Sequence, residues 1–144
     1  MQRIASEASD LTAADVAPVA EFRAALRRFL RTSERNARAA GLTPQRYLLL
    51  LMIKGAQDRS EQSTVTQLSE RLQLAQSTVT ELVSRAEEVG LVVRERSARD
   101  ARVGHLRLTE EGERRLARSF TSNESERQAL RDAFEHLDGP VLQP

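Results

Sequence analysis

The chain has 144 residues, 40% of them hydrophobic and 30% charged, which is enough for one domain with its own core and ordinary for a soluble globular protein. It has no cysteine, which excludes disulfides, thiolate metal sites and thiol redox sensing. The longest apolar run, Tyr47 to Ile53, is far short of the ~20 residues of a membrane span, and a net charge of +1 argues neither for nor against a polyanionic partner.

No charged-then-apolar pattern opens the chain, so secretion is not expected and a cytoplasmic location is. Residues 1–12 are small and polar and read as a loose lead-in. From about Ala13 to Ala40, Val16, Val19, Phe22, Leu26, Phe29 and Leu30 recur every three or four positions. That spacing predicts one long helix with an apolar face, stopped by Gly41. Thr43 as N-cap and Pro44 in the first turn open a second helix. It runs through Tyr47 to Ile53, apolar nearly all round and therefore buried on several sides, and ends near Gly55.

A polar loop leads to Thr64 and Gln67, which fit a capping box for a third helix through Leu68 and Leu72. After a short turn at Gln73 to Ala75, the stripe Val79, Leu82, Val83, Ala86 and Val89 marks a fourth helix, ended by Gly90. Leu91 to Arg96 and Val103 to Leu108 are candidate strands of a hairpin, but their alternation is too poor to fix the register. Thr109 caps a fifth helix with Glu110 and Glu111 beside its positive end. Asn123 and Glu126 resemble the cap of a sixth, carrying Leu130, Phe134 and Leu137.

Two short helices, a tight turn and a hairpin in that order form a winged helix-turn-helix, which lays its second short helix in the DNA major groove. The fold class is thus mainly α with a small β-hairpin. From Arg94 to Arg107, five arginines face only Glu95 and Asp100, a local charge of +3. Such a patch suits a module that touches DNA over a small area, though it also suits a solvated hairpin. The outer helices carry apolar stripes that a winged domain does not need, which suggests a second copy as partner.

Leu42-Thr43-Pro44, Ser77-Thr78-Val79-Thr80, Gly90-Leu91-Val92, Arg99-Asp100-Ala101-Arg102 and Leu108-Thr109-Glu110-Glu111-Gly112 occur in this order. Together they resemble the MarR family, the multiple-antibiotic-resistance type regulators, over roughly Ala13 to Leu137. The resemblance implies one domain over 1–144, with a winged helix-turn-helix at 43–108, its wing at 91–108, and dimerisation helices at 13–40 and 109–137. It implies a homodimer on a pseudo-palindromic operator in double-stranded DNA. It also implies a repressor released by a small, often aromatic or phenolic, ligand.

Two positions depart from the family pattern. Where the family commonly has Ser or Asn as recognition-helix N-cap, Ala75 or Gln76 stands here, unless Ser77 caps and the helix starts later. An Ala cap costs about 1 kcal/mol. Where the family often has a basic or small residue, this chain has Glu81. Its carboxylate can accept from a cytosine amino group or repel phosphates.

With Val79, Leu82, Val83 and Ala86 inward, Gln76, Ser77, Thr78, Thr80, Glu81 and Arg85 lie on other faces, placed for base edges and phosphates. At the wing, Asp100 can bond nearby amides and pair with an arginine, stiffening the tip. A stiff tip can insert Arg102, or else Arg99, into the minor groove. Arg23, Arg27, Arg31 and Arg35 form an i, i+4 line that reads as a solvated face, with an anionic ligand as the alternative. Phe29 and Tyr47 are candidates for an effector pocket, or simply core.

An enzyme needs a nucleophile–base pair, a metal set or a phosphate loop. His105 and His136 have no ligand partners in the sequence and no glycine-rich loop exists, so neither catalysis, metal nor cofactor is expected. The rival expectation is a degenerate winged helix that binds ligand or protein and has lost DNA affinity.

Overall fold

The computed structural model describes residues 10–96 and 103–137. Six helices and one hairpin follow in chain order: α1 (Ala13–Ala39), α2 (Pro44–Lys54), α3 (Val65–Leu72), α4 (Gln76–Glu88), β1 (Val92–Arg96), β2 (Gly104–Leu108), α5 (Glu110–Ser122) and α6 (Glu124–Leu137). These group into two compact units. One is Glu34–Ser122; the other joins the residues up to Ser33 with those from Asn123 onward. The boundary falls inside α1.

In the larger unit, helix ends follow local chemistry. Leu42 N–H bonds the Ala37 carbonyl at 2.9 Å while Gly41 takes φ +79°, the left-handed stop expected of that glycine. Thr43 Oγ1 accepts from Arg46 N–H at 3.2 Å, with Pro44 at the first position of α2. Thr64 and Gln67 complete the reciprocal capping box of α3, with bonds of 2.9 and 3.2 Å. Gln73 then turns left-handed at φ 56°. Two arginines close helix ends from outside. Arg71 donates to the carbonyls of Met52 and Gly55 at the end of α2, and Arg115 donates to that of Gly41. Lys54 bridges Glu61 and Glu113, each at 2.9 Å, and these partners hold its pKa above the ordinary lysine value.

The N-cap of α4 is Ala75, with no side-chain bond to the helix, so Ser77 lies inside the helix rather than starting it. At the far end, Gly90 takes φ +74° and Leu91 N–H bonds the Ala86 carbonyl. β1 and β2 pair antiparallel with Val92 opposite Leu108 and Arg96 opposite Gly104. The hairpin gains a bridge that sequence patterns did not reveal. Ser63 N–H donates to the Leu106 carbonyl at 3.1 Å and Leu106 N–H to that of Ser63 at 2.8 Å. Thr109 Oγ1 donates to the Gly90 carbonyl and accepts from Gly112 N–H, so one hydroxyl caps α5 and ties it to the end of α4.

The core comprises Leu49, Leu50 and Ile53 of α2, Leu68 of α3, Val79, Val83 and Ala86 of α4, with Leu91, Leu106 and Leu116. Each fully buried leucine or isoleucine contributes roughly 1.5–3 kcal/mol by leaving water. α2 supplies the centre, as its nearly uniform apolar run predicts.

The smaller unit is thinly packed. Asn123, just before α6, points its amide to Ser33 Oγ at 3.4 Å, and Phe22 meets Phe134 edge-on with centroids 6.0 Å apart. No side chain of α6 is buried, and Leu11, Val16, Val19, Leu30 and Phe134 are exposed. The apolar stripes at both chain ends are thus real and largely uncovered in the single chain.

α1 begins on a cap absent from the sequence reading. Asp15 N–H donates to Thr12 Oγ1 at 3.2 Å and Thr12 N–H to Asp15 Oδ2 at 3.0 Å. The Thr12 N–H on the carboxylate, and after it the Thr12 hydroxyl, hold the Asp15 carboxyl below the ordinary aspartate value. A depressed carboxylate stabilises above its unfolded pKa, about 3.9, and loses that contribution as pH falls through the folded one. First-turn amides of α1 should therefore lose protection in acid, after correction for intrinsic exchange. Asp15→Asn should remove the pH dependence, and an unchanged acid profile would contradict the cap.

Candidate nucleic-acid interface

α4 is locked by one face and free on the other. Val79, Val83 and Ala86 are fully buried and Leu82 packs against the same core. Gln76, Ser77, Thr78, Thr80, Glu81 and Arg85 are all exposed, as the helical period requires. The rigid inner face fixes where the outer residues point.

The ends of this surface differ in chemistry. Ala75 supplies no side-chain cap, so the first-turn amides of Gln76, Ser77 and Thr78 are left for an external acceptor such as a phosphate oxygen. Gln76 Nε2 donates to Thr66 Oγ1 on α3 at 3.4 Å. One turn further along, Arg85 Nη2 donates to Glu81 Oε1 at 2.7 Å. The two expected roles for Glu81, cytosine acceptor or phosphate repeller, both treated it as a lone charge; it is instead half of an ion pair.

Beside that pair lies a hollow of about 160 Å³, lined by Gln45, Thr78, Glu81, Leu82 and Arg85. Gln45, in the first turn of α2, was missed by sequence reasoning because only the tertiary fold brings it to α4. Neither Tyr47 nor Phe29 lines this hollow. Tyr47 is a buried member of the winged unit's core, and Phe29 is half-buried on α1 in the other unit.

On the hairpin, Arg94 pairs with Glu87 at 3.3 Å and Arg107 with Glu95 at 3.5 Å. Exposed pairs of this kind add only about 0–1 kcal/mol to stability, but they reduce the charge offered to a partner. Part of the local excess counted from sequence is therefore neutralised within the hairpin and by α4. Arg99, Asp100 and Arg102 lie outside the described residues. Among the described residues, no group of His, Asp and Glu is placed to hold a metal ion. No helix there is long and apolar enough to cross a membrane.

A buried-face helix preceded by a short capped helix and followed by a two-stranded wing defines a winged helix-turn-helix protein. The MarR family model matches residues 40–103. This winged segment belongs to the MarR family, and the chain carries the fold of its transcription regulators. Solved structures agree at the level of fold. MarR from E. coli, as a mutant complexed with operator DNA, is 18% identical with a TM-score of 0.64, the match covering 84% of this chain and 90% of that one. MepR from S. aureus, as a mutant bound to an oligodeoxyribonucleotide, is 20% identical with a TM-score of 0.63 over 77% and 79%. AbsC, a MarR family transcriptional regulator from Streptomyces coelicolor, is 21% identical with a TM-score of 0.62 over 91% and 85%. No curated protein matches in sequence.

Proposed function

We propose that the chain is a cytoplasmic, homodimeric transcriptional regulator that binds a pseudo-palindromic DNA operator and acts as a repressor. The observation that carries this reading is α4, whose apolar face is fixed in the core and whose polar face is wholly exposed. Ser77, Thr78 and Thr80 near its start, with Gln76, Glu81 and Arg85, supply donors and acceptors for base edges and phosphates. We assign the minor-groove contact to Arg102, or else Arg99, with Asp100 as the neighbour to test beside them.

Dimerisation is supported by the uncovered apolar residues Val16, Val19 and Leu30 on α1 and Phe134 on α6. We assign them, within 13–40 and 109–137, to the contact between two copies. Release by a small aromatic or phenolic ligand rests on family resemblance, with Phe29 and Tyr47 as the residues to test. The rival, a winged helix without DNA affinity, rests on Glu81 as a repelling charge and on the weak start of α4. Arg85 pairs with Glu81 at 2.7 Å and offsets the first, while Ala75 gives α4 no side-chain cap.

Two-fold symmetry places the recognition helices about one DNA turn apart, with half-site centres about ten base pairs apart. Inserting five base pairs between half-sites turns one head away from its groove. Binding should fall roughly 10²–10⁴-fold, the loss of bivalent engagement. Unchanged affinity in a gel shift would show that each head binds alone and overturn the dimeric reading.

A further inference from the structure

Glu81 and Arg85 sit one turn apart on the exposed face of α4, joined at 2.7 Å, with side chains 64% and 62% exposed. So exposed a pair contributes little to stability, and neither residue packs in the core. Its position matters more. Thr78, Leu82 and Gln45 surround the same hollow, so the pair belongs to the surface assigned to DNA. A lone carboxylate there opposes the phosphate field. A lone, flexible guanidinium would go to whichever phosphate is nearest.

Joined, the two behave differently. The pair has no net charge, so the phosphate field draws it weakly. The carboxylate takes one N–H of Nη2, and the remaining donors of the planar fork stay free in a fixed direction. That arrangement suits two parallel acceptors in the groove floor, the O6 and N7 of guanine. Holding the fork in advance also lowers the side-chain entropy lost on binding.

We propose that Glu81 and Arg85 form a single reading unit, in which Glu81 aims Arg85 at a guanine and makes the chain select a G·C pair under α4. Arg85 makes the base contact and Glu81 is its positioning residue. The pair contributes selectivity rather than overall affinity. This rests on the proposed DNA-binding function and adds which base pair is chosen and by what device.

The test uses the full chain and a library of randomised duplexes, with one fixed duplex of unrelated sequence titrated at several salt concentrations. Wild type, Glu81→Gln, Arg85→Ala and the double variant are compared. Wild type should enrich a G·C pair at one position per half-site. Arg85→Ala should lose that preference and bind the enriched sequence about tenfold to a hundredfold more weakly. Glu81→Gln should bind all duplexes more tightly and discriminate less at that position. The double variant should discriminate no worse at that position than Arg85→Ala alone, because Glu81 acts on base choice only through Arg85.

A uniform loss on all sequences in Arg85→Ala, with a salt slope lower by about one unit, would make Arg85 a phosphate contact and overturn the proposal alone. Additive effects in the double variant would overturn it as well. Failure of wild type to bind any duplex would overturn the DNA-binding reading and the proposal with it.

Discussion

Gly112→Ala should destabilise the winged unit by about 3 kcal/mol or more, the upper end for overpacking. A Cβ at this position would stand 2.2 Å from the Leu91 carbonyl oxygen and 3.2 Å from its carbon. The obstacle is backbone and it is pinned. Leu91 is fully buried, and its carbonyl accepts from Thr109 N–H at 3.0 Å. At an exposed helical site the same change would stabilise by about 1 kcal/mol through helix propensity; here the clash outweighs it. Urea denaturation should show a lower midpoint with an unchanged slope. An unchanged or higher midpoint would mean that the start of α5 shifts freely away from the end of α4.

Leu106→Ala should cost about 2–5 kcal/mol, as for other buried leucines. Leu106 is 1% exposed and is the one buried residue of β2. Its two backbone bonds to Ser63 survive the substitution, so the loss isolates the side chain that anchors the hairpin to the helical core. Amides of β1 and β2 should exchange faster than those of α2, because the wing loses its anchor first. A loss below about 1 kcal/mol would show that the backbone bridge alone holds the wing, since one such bond contributes about that much.

The elements that were legible in the sequence are those decided within one turn. Thr43 with Pro44, Thr64 with Gln67, and the stops at Gly41 and Gly90 depend on neighbours three to five residues away, and each stands where its pattern predicts. The exposed face of α4 followed from period alone. The rest needed the fold. The strand register was illegible because only Val92 in β1 and Leu106 in β2 are buried, too few to make an alternating pattern. The Ser63 bridge joins a single pair of residues far apart in sequence.

Two further features are local. The Thr12–Asp15 cap has the spacing of a capping box, with aspartate where the common pattern has Glu or Gln. The Glu81–Arg85 pair has an ordinary i, i+4 spacing, which permits the ion pair without fixing the rotamers that close it. Gln45 carried no local signal, since its neighbours on α4 lie more than thirty residues away in sequence.

Sequencing the genomic fragments retained by the purified protein at physiological salt tests the central claim most directly. A dimeric winged-helix regulator should enrich a small set of fragments sharing an inverted repeat with half-site centres about ten base pairs apart. Retained fragments with the sequence composition of the input, or none retained at all, would contradict the account.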